Sequence, residues 1–152
     1  MLRIAATSLF AMFMSLPALA KHVFQCAGAT VTIGVDATLP LRSTEGADVI
    51  LSVEKGSRST TLRYSNIDFI GGACDTDING SPQIVYQAVC GGSGCFDLSN
   101  WGVINPDTLQ VLLVPANDSL DAAKRLLGHP PVLAGEMMSV RREAHELGLP
   151  TP

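Results

Sequence analysis

The chain has 152 residues, with 10 lysines and arginines against 14 aspartates and glutamates and a formal net charge of −4. That balance excludes the clustered basic surface needed to neutralise nucleic-acid phosphates, and the length suits one domain with a real core. The 4 cysteines, an even number, fit an oxidising compartment in which they pair as two disulfides.

Residues 1–20, MLRIAATSLFAMFMSLPALA, read as a secretory signal. Arg3 supplies the positive start, Ile4–Met14 the apolar run, and Ala18-Leu19-Ala20 the small-residue cleavage site. Cleavage after Ala20 leaves a protein starting at Lys21 with no later segment near the roughly 20 apolar residues of a membrane span. The absence of cysteine at the cleavage site gives no sign of a lipid anchor. The expected location is the bacterial periplasm, with no membrane association once the signal is removed.

Residues 21–116 then read as a β domain. Val23–Cys26 and Thr30–Ile33 are short strands on either side of Ala27-Gly28. Val49–Val53 and Thr60–Tyr64 flank Lys55-Gly56-Ser57-Arg58, which is the pattern of a hairpin. Ile67–Ile70 is a further strand, and Gly71-Gly72 is expected to connect it to the central stretch that begins at Cys74. Trp101–Ile104 and Leu109–Val114 flank the turn Asn105-Pro106-Asp107-Thr108. The expected fold class is mainly β: a small antiparallel sandwich, barrel or propeller-like set of sheets.

The stretch Cys74–Trp101 carries the chemistry. Asp75, Asp77 and Asn79 alternate and Gly80 follows, a spacing that gathers oxygen-bearing side chains around a tight loop, as calcium requires. An EF-hand needs a glutamate at the twelfth loop position, where Tyr86 stands, so that motif is excluded. The alternative to an ion site is an Asx turn, in which Asp and Asn side chains bond nearby backbone amides. Beyond it, Cys90-Gly91-Gly92-Ser93-Gly94-Cys95 has too long a spacing for a C-x-x-C redox pair and no companions for a zinc knuckle. A local Cys90–Cys95 disulfide would staple a small uncharged loop, with Cys26–Cys74 as the second bridge.

Residues 117–152 change character. Asn117-Asp118-Ser119 offers cap oxygens to a helix over Leu120–Leu127 that ends at Gly128. Ser139 caps a second short helix, Val140–Leu147, whose Arg141, Arg142, Glu143 and Glu146 read as a solvated face. Both helices are expected to pack on the same domain.

Two resemblances bear on function. The run Asp75–Gly80 resembles a degenerate FG-GAP calcium loop of integrin-type propellers, departing where Gln83 replaces an acid; it implies Asp75, Asp77 and Asn79 as ligands of Ca2+. The chain after the signal resembles the small periplasmic immunity proteins that bacteria pair with type VI secretion amidases. That likeness rests on Met1–Ala20, the short β domain and the loop Gly91–Gly94. It implies a non-enzymatic protein that occludes a peptidoglycan-cleaving toxin.

Catalysis is the weaker reading. Gly92-Ser93-Gly94 lacks the strand-to-helix elbow of a serine hydrolase, and no histidine of His22, His129 and His145 is marked as a partner for Ser93. A preorganised loop loses little entropy on association, so the contact residues expected for a protein partner are Gly91, Gly92, Ser93 and Gly94, flanked by Phe96 and Trp101. A calcium-stabilised periplasmic β module is the rival reading, and a serine hydrolase a third.

Overall fold

A computed structural model describes residues 21–41, 46–92 and 99–150. Strands β1 (Lys21–Cys26) and β2 (Ala29–Val35) form a hairpin over Ala27-Gly28, both at positive φ (50° and 79°). That is the geometry two-residue hairpin turns favour, because its twist matches the flanking strands. Strands β3 (Ala47–Lys55) and β4 (Arg58–Thr76) form the second hairpin, with Gly56 at φ 60°. There follow β5 (Pro82–Cys90), β6 (Trp101–Ile104), β7 (Val111–Leu113), helix α1 (Ser119–Leu127), the short β8 (Met138–Ser139) and helix α2 (Val140–Glu146).

All eight strands belong to one antiparallel sheet in the order β1-β2-β3-β4-β5-β6-β7, with β8 pairing β4 from the side. The fold is thus mainly β with two short helices, and the sheet does not close into a barrel. Its pivot is β4, which is 19 residues long. The part from Arg58 to Ile67 pairs with β3, and the part from Ile67 to Thr76 pairs with β5. At the changeover Asn66 takes φ 56° and the register shifts between Ile67 and Phe69. An extra residue in one strand bends it and increases twist, so the two parts of the sheet turn to face each other.

The period-two pattern supplies the core between them. Val31 and Ile33 from β2, with Val49, Leu51 and Val53 from β3, meet Ile84 and Tyr86 from β5 and Ile104 from β6. Strand β5 is buried from Gln83 to Val89, because its other face lies under α1. There Ala123 and Leu127 pack on Val85, Trp101 and Val103. Helix α2 adds Val140 and Ala144 to the main cluster. Both helices therefore share cores with the sheet.

Three sequence expectations are corrected. Thr60–Tyr64 and Ile67–Ile70 are not separate strands, and Gly71-Gly72 is not a connector: all lie within β4. The glycines are there because neighbours approach closely. A side chain at Gly72 would meet the Phe24 ring at 2.8 Å, and one at Gly71 would meet Met137 at 3.1 Å. Helix α1 has no side-chain cap, since Asp118 sits at φ 65°; the Ser119 hydroxyl instead accepts the Trp101 N–H at 2.7 Å and stitches the helix to β6. Glu143 is not part of a solvated face. It is buried, whereas the α2 cap at Ser139 is as expected.

The Cys26–Cys74 disulfide is formed, joining β1 to the far part of β4 across a separation of 48 residues. No helix among the described residues is long and apolar enough to cross a membrane.

Candidate functional site

The loop between β4 and β5 is built around Asp77. Its Oδ1 accepts the backbone N–H groups of Asn79 (2.8 Å) and Ser81 (2.9 Å), and Oδ2 accepts from Gln83 Nε2 at 3.3 Å. These bonds, Ser81 first, hold the Asp77 carboxyl below the usual aspartate range. Gly80 closes the turn at φ 78°, donating to the Asp77 carbonyl at 2.8 Å. This is the bonding of an Asx turn.

Asp75 turns elsewhere. Its Oδ1 accepts the Thr76 N–H at 2.7 Å and lies 3.4 Å from His129 Nε2, while Oδ2 is buried with no hydrogen-bond partner. Among the described residues no three carboxylate, imidazole or thiolate groups converge as ion ligands. The residues present therefore do not fit a calcium ion: Asp77 serves its own loop, Asp75 faces an imidazole, and Gln83 carries no charge.

His129 is held by that loop. Its Nδ1 is 2.9 Å from the Pro130 carbonyl and its Nε2 is 3.0 Å from the Thr76 carbonyl. Only the imidazolium donates from both nitrogens, and these two bonds, with the Asp75 carboxylate, raise the His129 pKa. This histidine is a fastener between α1 and the β4–β5 loop.

At the other end of β5 lies the base of the glycine loop. Cys90 is disulfide-bonded. Gly91 is buried and doubly tied to the bend of β4: its N–H donates to the Asn66 carbonyl at 2.8 Å, and Asn66 Nδ2 donates to its carbonyl at 3.0 Å. Gly92 follows at φ 112°, a conformation that side chains rarely adopt. Ser93, Gly94, Cys95 and Phe96 lie outside the described residues. Trp101, expected among the partner contacts, is buried beneath α1 beside Val103 and Leu127 and so serves packing.

Two cavities also border the first strand. One of about 330 Å³ lies over Thr32, Gly34, Ile50 and Ser52 and is flanked by Asp36. Asp36 is buried and fully engaged: Thr38 Oγ1 donates to it at 2.5 Å, Arg63 pairs with it, and its pKa is lowered, by the Thr38 bond first. The other, of about 320 Å³, is lined by Lys21, His22, Glu136, Met137, Met138, Arg142 and Glu143. Sequence reasoning missed this second group, because its residues come from β1, the segment around β8 and α2. No local spacing marks it. The one available signal was a carboxylate, Glu143, on the i, i+3 row of the inward-facing Val140.

No family model, curated protein or solved structure matches this chain.

Proposed function

We propose that this chain is an exported, non-enzymatic binding protein whose Cys90–Cys95 loop occludes a protein partner. By its resemblance to periplasmic immunity proteins, that partner is a peptidoglycan-cleaving toxin. The observation that supports the reading is the anchorage of the loop's base. Cys90 is covalently held, and Gly91 exchanges two hydrogen bonds with Asn66 at the bend of the longest strand. A loop fixed at its root loses less conformational entropy on binding, and its small residues let backbone enter a narrow cleft. Gly91 and Gly92 set the loop's direction, Ser93 and Gly94 are its contacts, and Phe96 flanks it.

The test is calorimetry of the exported protein against the partner it captures from periplasmic extract, using the parent and Ser93→Trp. The expected result is that the bulky substitution abolishes binding while stability changes by no more than about 0.5 kcal/mol. Equal affinity for parent and variant would refute the proposal.

A further inference from the structure

The cavity on the outer face of the first two hairpins shares no residue with the glycine loop, and the strand register fixes which side chains form its floor. Lys21 stands opposite Gly34 and Gly34 opposite Ile50, while Thr32 stands opposite Ser52. Directly opposed residues, and residues two apart on one strand, share a face, so all of these lie on the face turned away from the core. Ile33 and Leu51 alternate to the other face and are buried there. Gly34 has no side chain, which leaves a trough between Lys21 and Ile50. Val35 and the turn Asp36-Ala37-Thr38 complete the wall.

That wall is set without any ligand. Asp36 is buried and its carboxylate is committed: Thr38 donates to Oδ1 from its N–H at 3.1 Å and from its hydroxyl at 2.5 Å, and Arg63 pairs with Oδ2. The Asp36 N–H donates to the Asp48 carbonyl at 2.8 Å. A preformed site of this kind binds with little reorganisation. The groups left uncommitted are a cation and a hydroxyl. Among the described residues the Lys21 ammonium has no ion pair and the Thr32 hydroxyl no hydrogen bond. Thr32 is the diagonal neighbour of Lys21 across the β1–β2 pair, within reach of a long side chain. Ile50 and Ala37 give the cavity apolar surface.

We propose that this cavity binds a small organic carboxylate, its head received by the Lys21 ammonium and the Thr32 hydroxyl and its apolar body lying over Gly34 against Ile50. Three features select that chemistry. A cation is repelled by Lys21 and finds no free acid, because Asp36 is engaged and Glu54, on the same face, stands four residues along β3 from Ile50, about 13 Å away. A neutral apolar molecule would take Lys21 and Thr32 out of water without replacing their bonds, which is costly. The volume of about 330 Å³ stands at the lower end of small-molecule sites and suits a body of a few carbons rather than a lipid tail. In a chain processed after Ala20 the α-ammonium of Lys21 adds a second cation beside this head group, which reinforces the preference for an anion.

The test uses the full chain expressed with its own leader and purified in the form in which it accumulates. Hexanoate is titrated while backbone amide resonances of Thr32, Gly34 and Ser52 are followed, alongside hexanamide, acetate and hexylammonium. Saturable shifts are expected with hexanoate. Binding should be at least about tenfold weaker for hexanamide, which lacks the charge, for acetate, which lacks the body, and for hexylammonium, which reverses the sign. Lys21→Gln, at an exposed position that leaves the core intact, should weaken hexanoate by about tenfold and leave hexanamide unchanged. Ile50→Thr, on the outer face, should weaken hexanoate and leave acetate unchanged. No saturable shift with hexanoate up to about 10 mM, or parent affinity for it in Lys21→Gln, overturns the proposal. Hexanamide binding as tightly as hexanoate overturns the assignment of an anion, and acetate binding as tightly overturns that of an apolar body.

Discussion

Gly102→Ala should be among the most damaging single-methyl additions in the molecule. Gly102 stands directly across from Tyr86 in the β5–β6 register, and the Tyr86 ring lies over it. A Cβ built there falls 2.5 Å from the Tyr86 hydroxyl oxygen and closer still to two ring carbons. The ring has nowhere to go, since Tyr86 is completely buried and its hydroxyl is 2.7 Å from that of Tyr64. Overpacking of a rigid core costs about 1–3 kcal/mol, and expelling the ring also forfeits the tyrosine–tyrosine bond, about 1 kcal/mol. The expected loss is therefore about 3 kcal/mol, a fall in Tm on the order of 10 °C. Urea unfolding of Gly102→Ala, Tyr86→Leu and the double variant measures it. Once the ring is gone the added methyl has room, so the double variant should match Tyr86→Leu and the two losses should be strongly non-additive. A cost for Gly102→Ala below about 1 kcal/mol, or simple additivity with Tyr86→Leu, would refute this account of the glycine.

Replacing both Cys26 and Cys74 by alanine should cost about 4 kcal/mol on the chain-entropy estimate for a loop of 48 residues; an unchanged urea midpoint would show that the bridge constrains little. His129 gives a pH dependence of fixed sign. Its folded pKa is raised by the Pro130 and Thr76 carbonyls, so its contribution is complete below the ordinary histidine value of about 6.5 and is lost as pH rises through the folded value. Proton resonances of His129 should titrate above about 6.5, and His129→Gln should flatten that part of the stability profile; a midpoint at or below the ordinary value would contradict the geometry.

The parts of the fold legible in the sequence are those governed by near neighbours. Alternating Val31, Ile33 and Val49, Leu51, Val53 announced strands with one inward face, and Ala27-Gly28 and Gly56-Ser57 announced the turns between them. The Cys26–Cys74 pairing was anticipated, as was the helix stop at Gly128. What could not be read depends on residues distant in the chain. Gly71 and Gly72 look like a connector until Phe24 and Met137 are seen lying against them. Trp101 looks like a contact residue until α1 covers it, and Glu143 looks solvated until α2 is placed over the bend of β4. The charged cavity at Lys21 and Arg142 was illegible for the same reason: three elements converge there and none has a motif.

The sheet stays open, so something other than strand pairing must keep its two parts face to face. Three long-range ties do this. Cys26–Cys74 fastens β1 to the far part of β4. In the middle the Tyr64 and Tyr86 hydroxyls bond across the core. At the β3–β4 turn Lys55 and Arg58 reach Asp107, and Thr60 Oγ1 donates to the Leu109 carbonyl at 2.9 Å. The Lys55–Asp107 pair is partly exposed and worth little by itself, whereas the tyrosine pair and the disulfide are shielded or covalent. The bend of β4 at Asn66 is where Gly91 is tied down and, a few residues on, where β8 pairs with β4. The loop proposed to meet a partner is tied to this strand through Gly91. Asn66→Ala removes only the side-chain bond to Gly91; the backbone bond from the Gly91 N–H to the residue-66 carbonyl and the Cys90 disulfide still hold the loop's root.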